Sequence, residues 1–499
     1  MGSSRRSHIL LLLIVVYCCF FFRLGVVPLL DPDEARYTYA SRNMVQSGDY
    51  VVPRWNGENR LQKPILFYWL QAAGLQTIAD EEYAARLPSA LGAACIVWLL
   101  YWFGRRRWGE LYGLLVALGF ALFPLTIALS RLAITDMTLA MCVTASVLWF
   151  LSAFRERRPG LLIAAYGALG AALLTKGPVA FLFVIPALIP FWASARMRKA
   201  VAVRYHLLGL ATTAAVLLPW LVLVTRRVPN IWSYWILDET VGRVLTDVKH
   251  RHIAWWFYVP STVAVTFPVC LCFFRPSLWK RSFRSWCEGR LSIENRALVL
   301  WAVVPLLFFS FSRSQLWTYG MPALPPIALL VAPIWYNAHR RIPRRGGTIP
   351  QRVVWTCVAA AVLLMSFFLS PLSTYVGQWK SAEGLVRIAG LSELPDDFVL
   401  ISCGYTRYPA LLYYANREIP GCKLDEAVAA FHSNRPTVVI LSQRNTQQFP
   451  CRDESFLLTA SPNGCVLANR EAMERIRLSG FRDSASQDVC PAAKHAPDR

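Results

Sequence analysis

Long apolar runs recur along the chain and restrict its fold more than any other feature. A helix rises 1.5 Å per residue, so about 20 apolar residues are needed to cross the hydrocarbon core of a bilayer. Eleven runs up to residue 372 approach this length, and we expect each to be a transmembrane helix. They are residues 9–30, 84–103, 111–130, 137–154, 161–175, 178–195, 207–225, 255–274, 297–312, 319–336 and 353–372.

The charge of the chain agrees with a membrane protein. Only 16% of the residues are charged and 55% are hydrophobic, whereas soluble domains have about 25% charged residues. The 52 basic and 30 acidic residues give a net charge of +22, which in a soluble protein would indicate a nucleic-acid partner. Here the basic residues lie between apolar runs, as in cytoplasmic loops. We therefore expect the lipid bilayer, and no nucleic acid, as a partner.

The distribution of charge also predicts the topology. Arg5 and Arg6 precede the first run, which we interpret as an uncleaved span because no small-residue cleavage site follows it. A cytoplasmic N-terminus then places the most basic loops on the cytoplasmic side. The first outer loop, residues 31–82, has eight acidic and five basic residues. With eleven spans, the tail after residue 372 lies outside the cytoplasm.

The tail has a different sequence pattern. Residues 398–402 and 437–442 are short and rich in β-branched side chains, and residues 408–416 resemble a helix. We therefore divide the chain into a transmembrane domain, 1–372, which includes loop 31–82, and a small extracytoplasmic α/β domain, 373–499. An oxidising compartment would permit disulfides among the five cysteines of the tail, but their pairing does not follow from the sequence.

Ionisable residues near the outer face are the first candidates for chemistry, since charges near a bilayer are costly without a function or a partner. Asp33, Glu34 and Arg36 follow the first span, where a carboxylate beside a cation suits a general base. Helix capping by an aspartate is the structural alternative. Lys63 precedes an aromatic segment. Its ammonium group could bind a lipid phosphate, or it could extend to the membrane interface without any function, which is called snorkelling.

Two later outer segments carry similar groups. Arg131 and Asp136 lie between the third and fourth spans, where Asp136 is suited either to catalysis or to capping the fourth span. Lys176 is a single cation in the next outer turn. Loop 226–252 has five basic and three acidic residues, against the topological trend, and therefore indicates an anionic ligand. Its Arg243 is suited to a phosphate, because guanidinium donates two parallel hydrogen bonds.

At these residues the sequence resembles the polyprenyl-phosphate-dependent membrane glycosyltransferases of the GT-C class. The resemblance is to the branch of the aminoarabinose transferases and the dolichyl-phosphate-mannose-protein mannosyltransferases. It extends along most of the chain up to the eleventh span. The motifs that carry it are Asp33-Glu-Ala-Arg-Tyr37, Ser47-Gly-Asp-Tyr-Val-Val-Pro-Arg54, Lys63-Pro-Ile-Leu-Phe-Tyr-Trp69, Arg131-Leu-Ala-Ile-Thr-Asp136, Thr175-Lys-Gly-Pro178, Glu239 with Arg243, and Phe309-Ser-Phe-Ser-Arg313 followed by Tyr319.

The resemblance implies a helical membrane enzyme that transfers a sugar from a polyprenyl-phosphate carrier to an acceptor at the periplasmic face of a bacterial inner membrane. It implies Asp33 as the base and Asp136 as a second catalytic carboxylate. Lys63 and Arg243 would bind the carrier phosphate. Other substrate-binding residues implied by the matching motifs are Glu34, Arg36, Glu239, Arg131, Lys176 and Tyr319.

Two positions depart from the aminoarabinose-transferase pattern. Gln62 stands where that branch usually has Glu, and Thr240 stands where it tends to have His. The family residues at these positions resemble ligands of a divalent metal, and neither replacement is a good ligand. We therefore expect no obligatory metal or other cofactor.

The sequence leaves two acceptors open for a glycosyltransferase, and two other classes of protein are alternatives to an enzyme. The acceptor is lipid A or another envelope glycolipid in one reading, and a secreted protein in another. A transporter or flippase is less favoured, because the ionisable residues cluster in outer loops and no broken helices occur in matching halves. A signalling or structural protein would leave Asp33 and Asp136 without a purpose.

The substitutions at Gln62 and Thr240 give a prediction about metal. Sugar transfer by the purified protein should be unchanged after exhaustive treatment with a chelator, because neither side chain favours a divalent cation. Transfer from a polyprenyl-phosphate sugar, measured before and after chelation, tests this. Loss of transfer that zinc or magnesium restores would show that the expectation is wrong.

Overall fold

The chain is described by a computed structural model. It describes residues 2–195, 201–235, 254–267, 292–313, 315–340, 381–404, 409–450, 455–461 and 464–478, with positions 359, 363–367, 369 and 375. The chain forms two compact units. The first comprises Met1–Leu24, Asp49–Val52 and Leu61–Phe367, and the second comprises Gly25–Gly48, Pro53–Arg60 and Phe368–Arg499. The second unit therefore includes much of loop 31–82, which the sequence-based division assigned to residues 1–372.

Helices dominate the described N-terminal half. They are α1 (Gly2–Val16), a π-helical turn (Tyr17–Phe21), α2 (Asp33–Ser47), α3 (Leu66–Thr77), α4 (Glu81–Trp108), α5 (Glu110–Ala121), α6 (Pro124–Ser130), α7 (Thr135–Glu156), α8 (Pro159–Lys176), α9 (Val179–Ala193) and α10 (Val203–Arg227). A two-stranded antiparallel hairpin, β1 (Arg54–Trp55) and β2 (Glu58–Asn59), follows α2.

The remaining described elements are helical up to residue 340 and mixed after residue 381. They are α11 (Ile231–Ser233), α12 (Tyr258–Val265), α13 (Ile293–Phe311), a 3₁₀ helix (Trp317–Ala323), α14 (Leu324–Arg340), α15 (Glu383–Ala389), β3 (Val399–Cys403), α16 (Pro409–Ala415), β4 (Gly421–Cys422), α17 (Leu424–Phe431), β5 (Thr437–Ser442), α18 (Gln443–Thr446), β6 (Phe456–Ser461), β7 (Gly464–Ala468) and α19 (Arg470–Leu478).

Five described helices are long and apolar enough to cross a membrane. They are α4, α7, α8, α10 and α13, and each contains most of a predicted span. The predicted span 111–130 is instead two helices, α5 and α6, bent by 66°. Pro124 begins α6 and explains the break, because proline has no N–H to continue the preceding helix. Residues 268–274 of the predicted span 255–274, and most of the predicted span 353–372, lie outside the described residues.

The ends of α4 follow from its sequence. The side chain of Asp80 accepts a hydrogen bond of 2.9 Å from the backbone N–H of Tyr83 and caps the first turn. Arg105, Arg106 and Arg107 occupy the last turn, where cations complement the helix dipole. Gly109 ends the helix with a φ of 105°, a backbone conformation that favours glycine.

Glycines allow α4 and α5 to pack at backbone distance. A Cβ atom on Gly113 would lie 2.7 Å from the backbone nitrogen of Arg105 and 2.7 Å from the carbonyl oxygen of Tyr101. A Cβ on Gly104 would lie 2.9 Å from the Cα of Gly113. Small residues at such contacts let helices approach closely in a membrane, where dispersion and packing hold them together.

The second unit contains a five-stranded sheet in the order β4-β3-β5-β7-β6. Strand β3 pairs in parallel with β4 and β5, while β7 pairs antiparallel with β5 and β6. Residues 438–441 of the central strand β5 are fully buried, as expected for a strand covered on both faces. Strands β3 and β5 and helix α16 lie within one residue of the segments predicted from sequence. Cys403, Cys422 and Cys465 are free thiols.

The close contact of α4 with α5 gives a prediction about stability. Gly113→Ala should destabilise the protein by about 1–3 kcal/mol, because the added methyl group meets backbone atoms that cannot rotate away. Gly119→Ala, in the same helix, is the matched control, since nothing lies within 4 Å of its Cβ position. Thermal unfolding of both variants in detergent tests this. A midpoint for Gly113→Ala equal to that of the control would contradict it.

Candidate active site

Asp33 is the first residue of α2, in the second unit, and its carboxylate is exposed. It makes no hydrogen bond and no ion pair within 4.0 Å among the described residues. Pro32 is the N-cap, and no side chain caps the helix there. The capping interpretation of Asp33 is therefore wrong. Glu34, which is buried, instead accepts a 3.0 Å hydrogen bond from the backbone N–H of Leu30.

Arg36 lies one turn after Asp33 on α2 and is half-buried. Its guanidinium carbon is 5.0 Å from the centroid of a Trp55 ring, a cation–π contact with the β1–β2 hairpin. Burial is the largest effect that lowers the pKa of Arg36, and the charge of Arg60 lowers it further. Asp33 acts in the opposite direction. The charges of Arg36 and of Asp33, the expected base, therefore act on each other.

Asp31 belongs to the same acidic segment and lies two residues before Asp33. Its Oδ1 accepts a 2.8 Å hydrogen bond from the backbone N–H of Ala410, in the first turn of α16. Burial raises the pKa of Asp31 to about 7, although backbone hydrogen bonds from Ala410 and Ala382 and the charge of Arg36 oppose the shift. The sequence placed Asp31 among the carboxylates that follow the first span, but its burial and its backbone partners depend on tertiary structure.

In the first unit, Asp136 and Lys176 form an ion pair. The Nζ of Lys176 is 2.8 Å from Oδ1 of Asp136, and their side chains are 12% and 10% exposed. Asp136 lies in the first turn of α7, whose N-cap, Ile134, provides no side-chain hydrogen bond, so the capping interpretation of Asp136 is also wrong. The same Nζ lies 4.9 Å from the centroid of the Tyr319 ring. Three predicted site residues are therefore brought together here.

Arg131 contacts main-chain carbonyls at the end of the first helical segment. Its NH2 group donates to the carbonyl oxygens of Phe22 at 2.8 Å and Arg23 at 3.1 Å. Its NH1 group lies 3.5 Å from the carbonyl oxygen of Cys19. Arg86 donates to the carbonyl oxygen of Leu24 at 3.0 Å. These bonds account for the position of Arg131, and its role as a substrate ligand stays a prediction.

Lys63 is half-buried, and its Nζ donates to the carbonyl oxygen of Gln62 at 3.0 Å. The amide oxygen Oε1 of Gln62 is buried and has no hydrogen-bond partner among the described residues. No three His, Cys, Asp or Glu side chains come together as possible metal ligands in the part of the chain that the structure describes. Glu239, Thr240 and Arg243 lie outside the described residues.

Comparison with known proteins adds to this picture. Residues 7–235 match the dolichyl-phosphate-mannose-protein mannosyltransferase family. An undecaprenyl phosphate-alpha-4-amino-4-deoxy-L-arabinose arabinosyl transferase from Pseudomonas fluorescens is 34% identical over 308 residues, which are 60% of this chain and 52% of that protein. The chain thus spans about half the length of the curated relatives it matches.

The fold is shared with solved structures. ArnT from Cupriavidus metallidurans, bound to undecaprenyl phosphate, aligns with a TM-score of 0.73 and 20% identity over 92% of this chain and 98% of that one. The Archaeoglobus fulgidus oligosaccharyltransferase aligns with a TM-score of 0.57 and 13% identity over 83% of this chain and 64% of that one. The chain is therefore a helical, multi-pass membrane protein of GT-C fold. Its resemblance to polyprenyl-phosphate glycosyltransferases, read from the motifs, is confirmed.

The environment of Asp31 gives a prediction about pH. Because its pKa is raised from 3.8 to about 7 in the folded chain, the free energy of unfolding should fall as the pH rises between these values. Asp31→Asn keeps an oxygen that can accept from Ala410 but does not titrate. Its thermal midpoint should decline less between pH 5 and pH 8 than that of the wild type.

Asp33→Asn is the matched control, because Asp33 lies two residues away and is exposed. Its midpoint should follow the wild-type pH dependence. Thermal unfolding at a series of pH values measures all three proteins. Identical pH dependence in the wild type and Asp31→Asn would contradict the prediction.

Proposed function

We propose that the protein transfers a sugar from a polyprenyl-phosphate carrier to lipid A or another envelope glycolipid, with inversion at the anomeric carbon. The observation that supports this most is the exposed carboxylate of Asp33, which has no partner among the described residues and lies within the segment that matches the family. The named activity of the Pseudomonas relative, an arabinosyl transferase with an undecaprenyl phosphate donor, supports the carrier. A general base needs such an accessible carboxylate.

Asp33 removes the proton from an acceptor hydroxyl. The hydroxyl oxygen forms a bond to the anomeric carbon as the bond from that carbon to the phosphate oxygen breaks, and the polyprenyl phosphate leaves with the electron pair. Lys63 and Arg243 stabilise the charge that grows on the leaving phosphate. Phosphate leaves without an acid to protonate it, so the chemistry requires a single catalytic base.

Asp136 has a different part in this proposal. Its charge is compensated by Lys176 at 2.8 Å, whereas Asp33 has no ion pair among the described residues. We therefore assign the proton transfer to Asp33 and give Asp136, Lys176 and Tyr319 an electrostatic and positioning role in binding the substrates. Glu34 holds the first turn of α2, and Glu239 is proposed to act with Arg243.

A secreted protein is the second candidate acceptor, because the matching family is described as a protein mannosyltransferase. Mass spectrometry of the envelope glycolipids and exported proteins, with and without the gene, distinguishes the two. A mass difference of one sugar on a glycolipid supports the first acceptor, and the same difference on a protein supports the second.

The proposal also includes a topology. We propose eleven transmembrane helices, a cytoplasmic N-terminus and a periplasmic domain from residue 373. The acidic first outer loop supports this arrangement, because basic residues prefer cytoplasmic loops.

Replacement of Asp33 tests the enzyme proposal. Asp33→Asn removes the base but keeps its size and polarity, so kcat should fall by about 10²–10⁴-fold. Glu58→Gln, an exposed carboxylate on β2 in the same unit, is the matched control and should transfer sugar normally. Transfer from a labelled polyprenyl-phosphate sugar measures both, and thermal unfolding checks folding. Undiminished transfer by Asp33→Asn would refute the assigned role.

Reporter fusions test the topology. Alkaline phosphatase joined after residue 373 should be active, since it folds only when exported. A fusion after Arg155, in a predicted cytoplasmic loop, should be inactive and serves as the control. The opposite pattern of activity would exclude the proposed orientation.

A further inference from the structure

Two cysteines lie side by side in the sheet of the second unit. Cys403 is the last residue of β3 and Cys422 is the last residue of β4, and the two are paired in register between these parallel strands. Because side chains alternate along each strand, paired residues of neighbouring strands project from the same face of a sheet. Both side chains accordingly pack in one apolar cluster with Ala427 and Phe431 of α17.

The spacing of the strands suits a bond between the two sulfur atoms. Neighbouring strands lie about 4.8 Å apart, and residues joined by a disulfide usually have Cα atoms about 4.4–6.8 Å apart. The two thiol groups also act on each other. Burial is the largest cause that raises the pKa of Cys422 to about 11, and the charge of Cys403 is the next largest. A disulfide therefore fits the register of β3 and β4.

The third described cysteine of the sheet cannot join this pair. Leu441 of β5 is paired with Cys403 of β3 on one side and with Cys465 of β7 on the other. The Cα atoms of the two cysteines are thus two strand spacings apart, about 9.5 Å, which is too far for a disulfide. The Sγ of Cys465 lies 3.3 Å from Oγ1 of Thr446. Cys465 is therefore a natural control for the pair.

We propose that Cys403 and Cys422 form a disulfide bond in the folded protein. The proposal rests on the periplasmic position proposed for this domain, because disulfides persist in that compartment and are rare in the cytosol. The oxidant is a second disulfide, in a protein or a small molecule. The bond between its sulfur atoms breaks and those atoms take up the two thiol hydrogens, while the bond between Cys403 and Cys422 forms.

The disulfide closes a loop that carries α16. This helix, Pro409–Ala415, lies between the two cysteines in the chain and packs against α2. The NH1 group of Arg42, in α2, donates to the carbonyl oxygen of Tyr413 at 2.7 Å, and its guanidinium carbon is 3.5 Å from the centroid of the Tyr413 ring. The backbone N–H of Leu29 donates to the hydroxyl oxygen of Tyr414 at 2.8 Å.

These contacts give the disulfide a structural role. Helix α16 holds α2 through Arg42 and the segment before α2 through Leu29 and Asp31. Helix α2 begins with Asp33, the proposed base. A disulfide stabilises a fold mainly by restricting the unfolded chain between its two ends. The bond therefore stabilises the segment that supports the helix of the proposed base.

Thiol labelling and peptide mass spectrometry test for the bond. Full-length protein is transferred from membranes into denaturant that contains an alkylating agent, so that free thiols are blocked before they exchange. We expect a peptide pair joined through Cys403 and Cys422 that separates on reduction, while Cys465 is alkylated. Alkylation of both Cys403 and Cys422, or a bond from either to a different cysteine, overturns the proposal.

Two measurements already described keep this test separate from the proposed function. A linked peptide in a protein that transfers no sugar supports the disulfide and refutes the proposed function alone. An active alkaline phosphatase fusion after residue 373, together with free thiols at Cys403 and Cys422, overturns the disulfide and leaves the topology standing. An inactive fusion together with free thiols overturns both.

Stability of alanine variants tests the role of the bond. Cys403→Ala should lower the midpoint of thermal unfolding by about 5 °C or more relative to Cys465→Ala, because only the first loses a disulfide. The two positions are matched, since both lie beside Leu441 in the sheet and are 2% and 1% exposed.

The double variant separates loss of one bond from two independent losses of packing. Cys403→Ala combined with Cys422→Ala should lower the midpoint little more than either change alone, because each removes the same bond. Two effects that add in full would overturn the proposal. Equal midpoints for Cys403→Ala and Cys465→Ala would also overturn it.

Discussion

The hydrocarbon core of a membrane offers no water, so polar groups of the first unit must find partners within the protein. The end of the first helical segment illustrates this constraint. The chain leaves the helix after the π turn Tyr17–Phe21, and the last carbonyl groups then lack helical donors. Arg86 and Arg131 supply the donors from elsewhere in the unit. A guanidinium is suited to this role because it carries five N–H groups.

The same constraint explains the pair formed by Asp136 and Lys176. Each charge lies at the end of a largely apolar helix, and each side chain is mostly buried. Removing one partner of a buried ion pair leaves an uncompensated charge, which destabilises a protein by several kcal/mol. The pair therefore fixes the first turn of α7 against the last turn of α8. The ring of Tyr319 lies against the ammonium group of Lys176. This contact holds the 3₁₀ helix, which contains Tyr319, beside the ends of α7 and α8.

The sequence predicted the helices better than their ends or their contacts. The run 137–154 lies inside α7, Thr135–Glu156, because apolar length alone identifies a span. Charged residues such as Arg155 continue the helix beyond the apolar run, so hydropathy misplaces its end. The run 111–130 looked continuous, since Pro124 is apolar, but proline ends the hydrogen-bonding pattern of α5.

The contacts of the candidate site depend on tertiary structure. Asp136 and Lys176 are 40 positions apart, and no periodicity indicates which outer turn meets which. The motif residues were identifiable because their chemistry is unusual beside a membrane. The partner of each motif residue could not be identified from the sequence. Hydrophobic patterning specifies which face of a helix is buried, but it does not specify which other helix packs against that face.

Burial separates the roles of two aspartates that stand two residues apart. Asp31 is held by backbone N–H groups, and burial shifts its pKa toward neutrality, so its carboxyl group orders the chain before α2. Asp33 begins the helix, is exposed and has no partner among the described residues. The second oxygen of Asp31, Oδ2, is buried, so a substrate hydroxyl could not reach it without displacing the surrounding chain. The carboxylate of Asp33 is exposed and can accept a proton with no such rearrangement, which is why the chemistry is assigned to Asp33 and the positioning to Asp31.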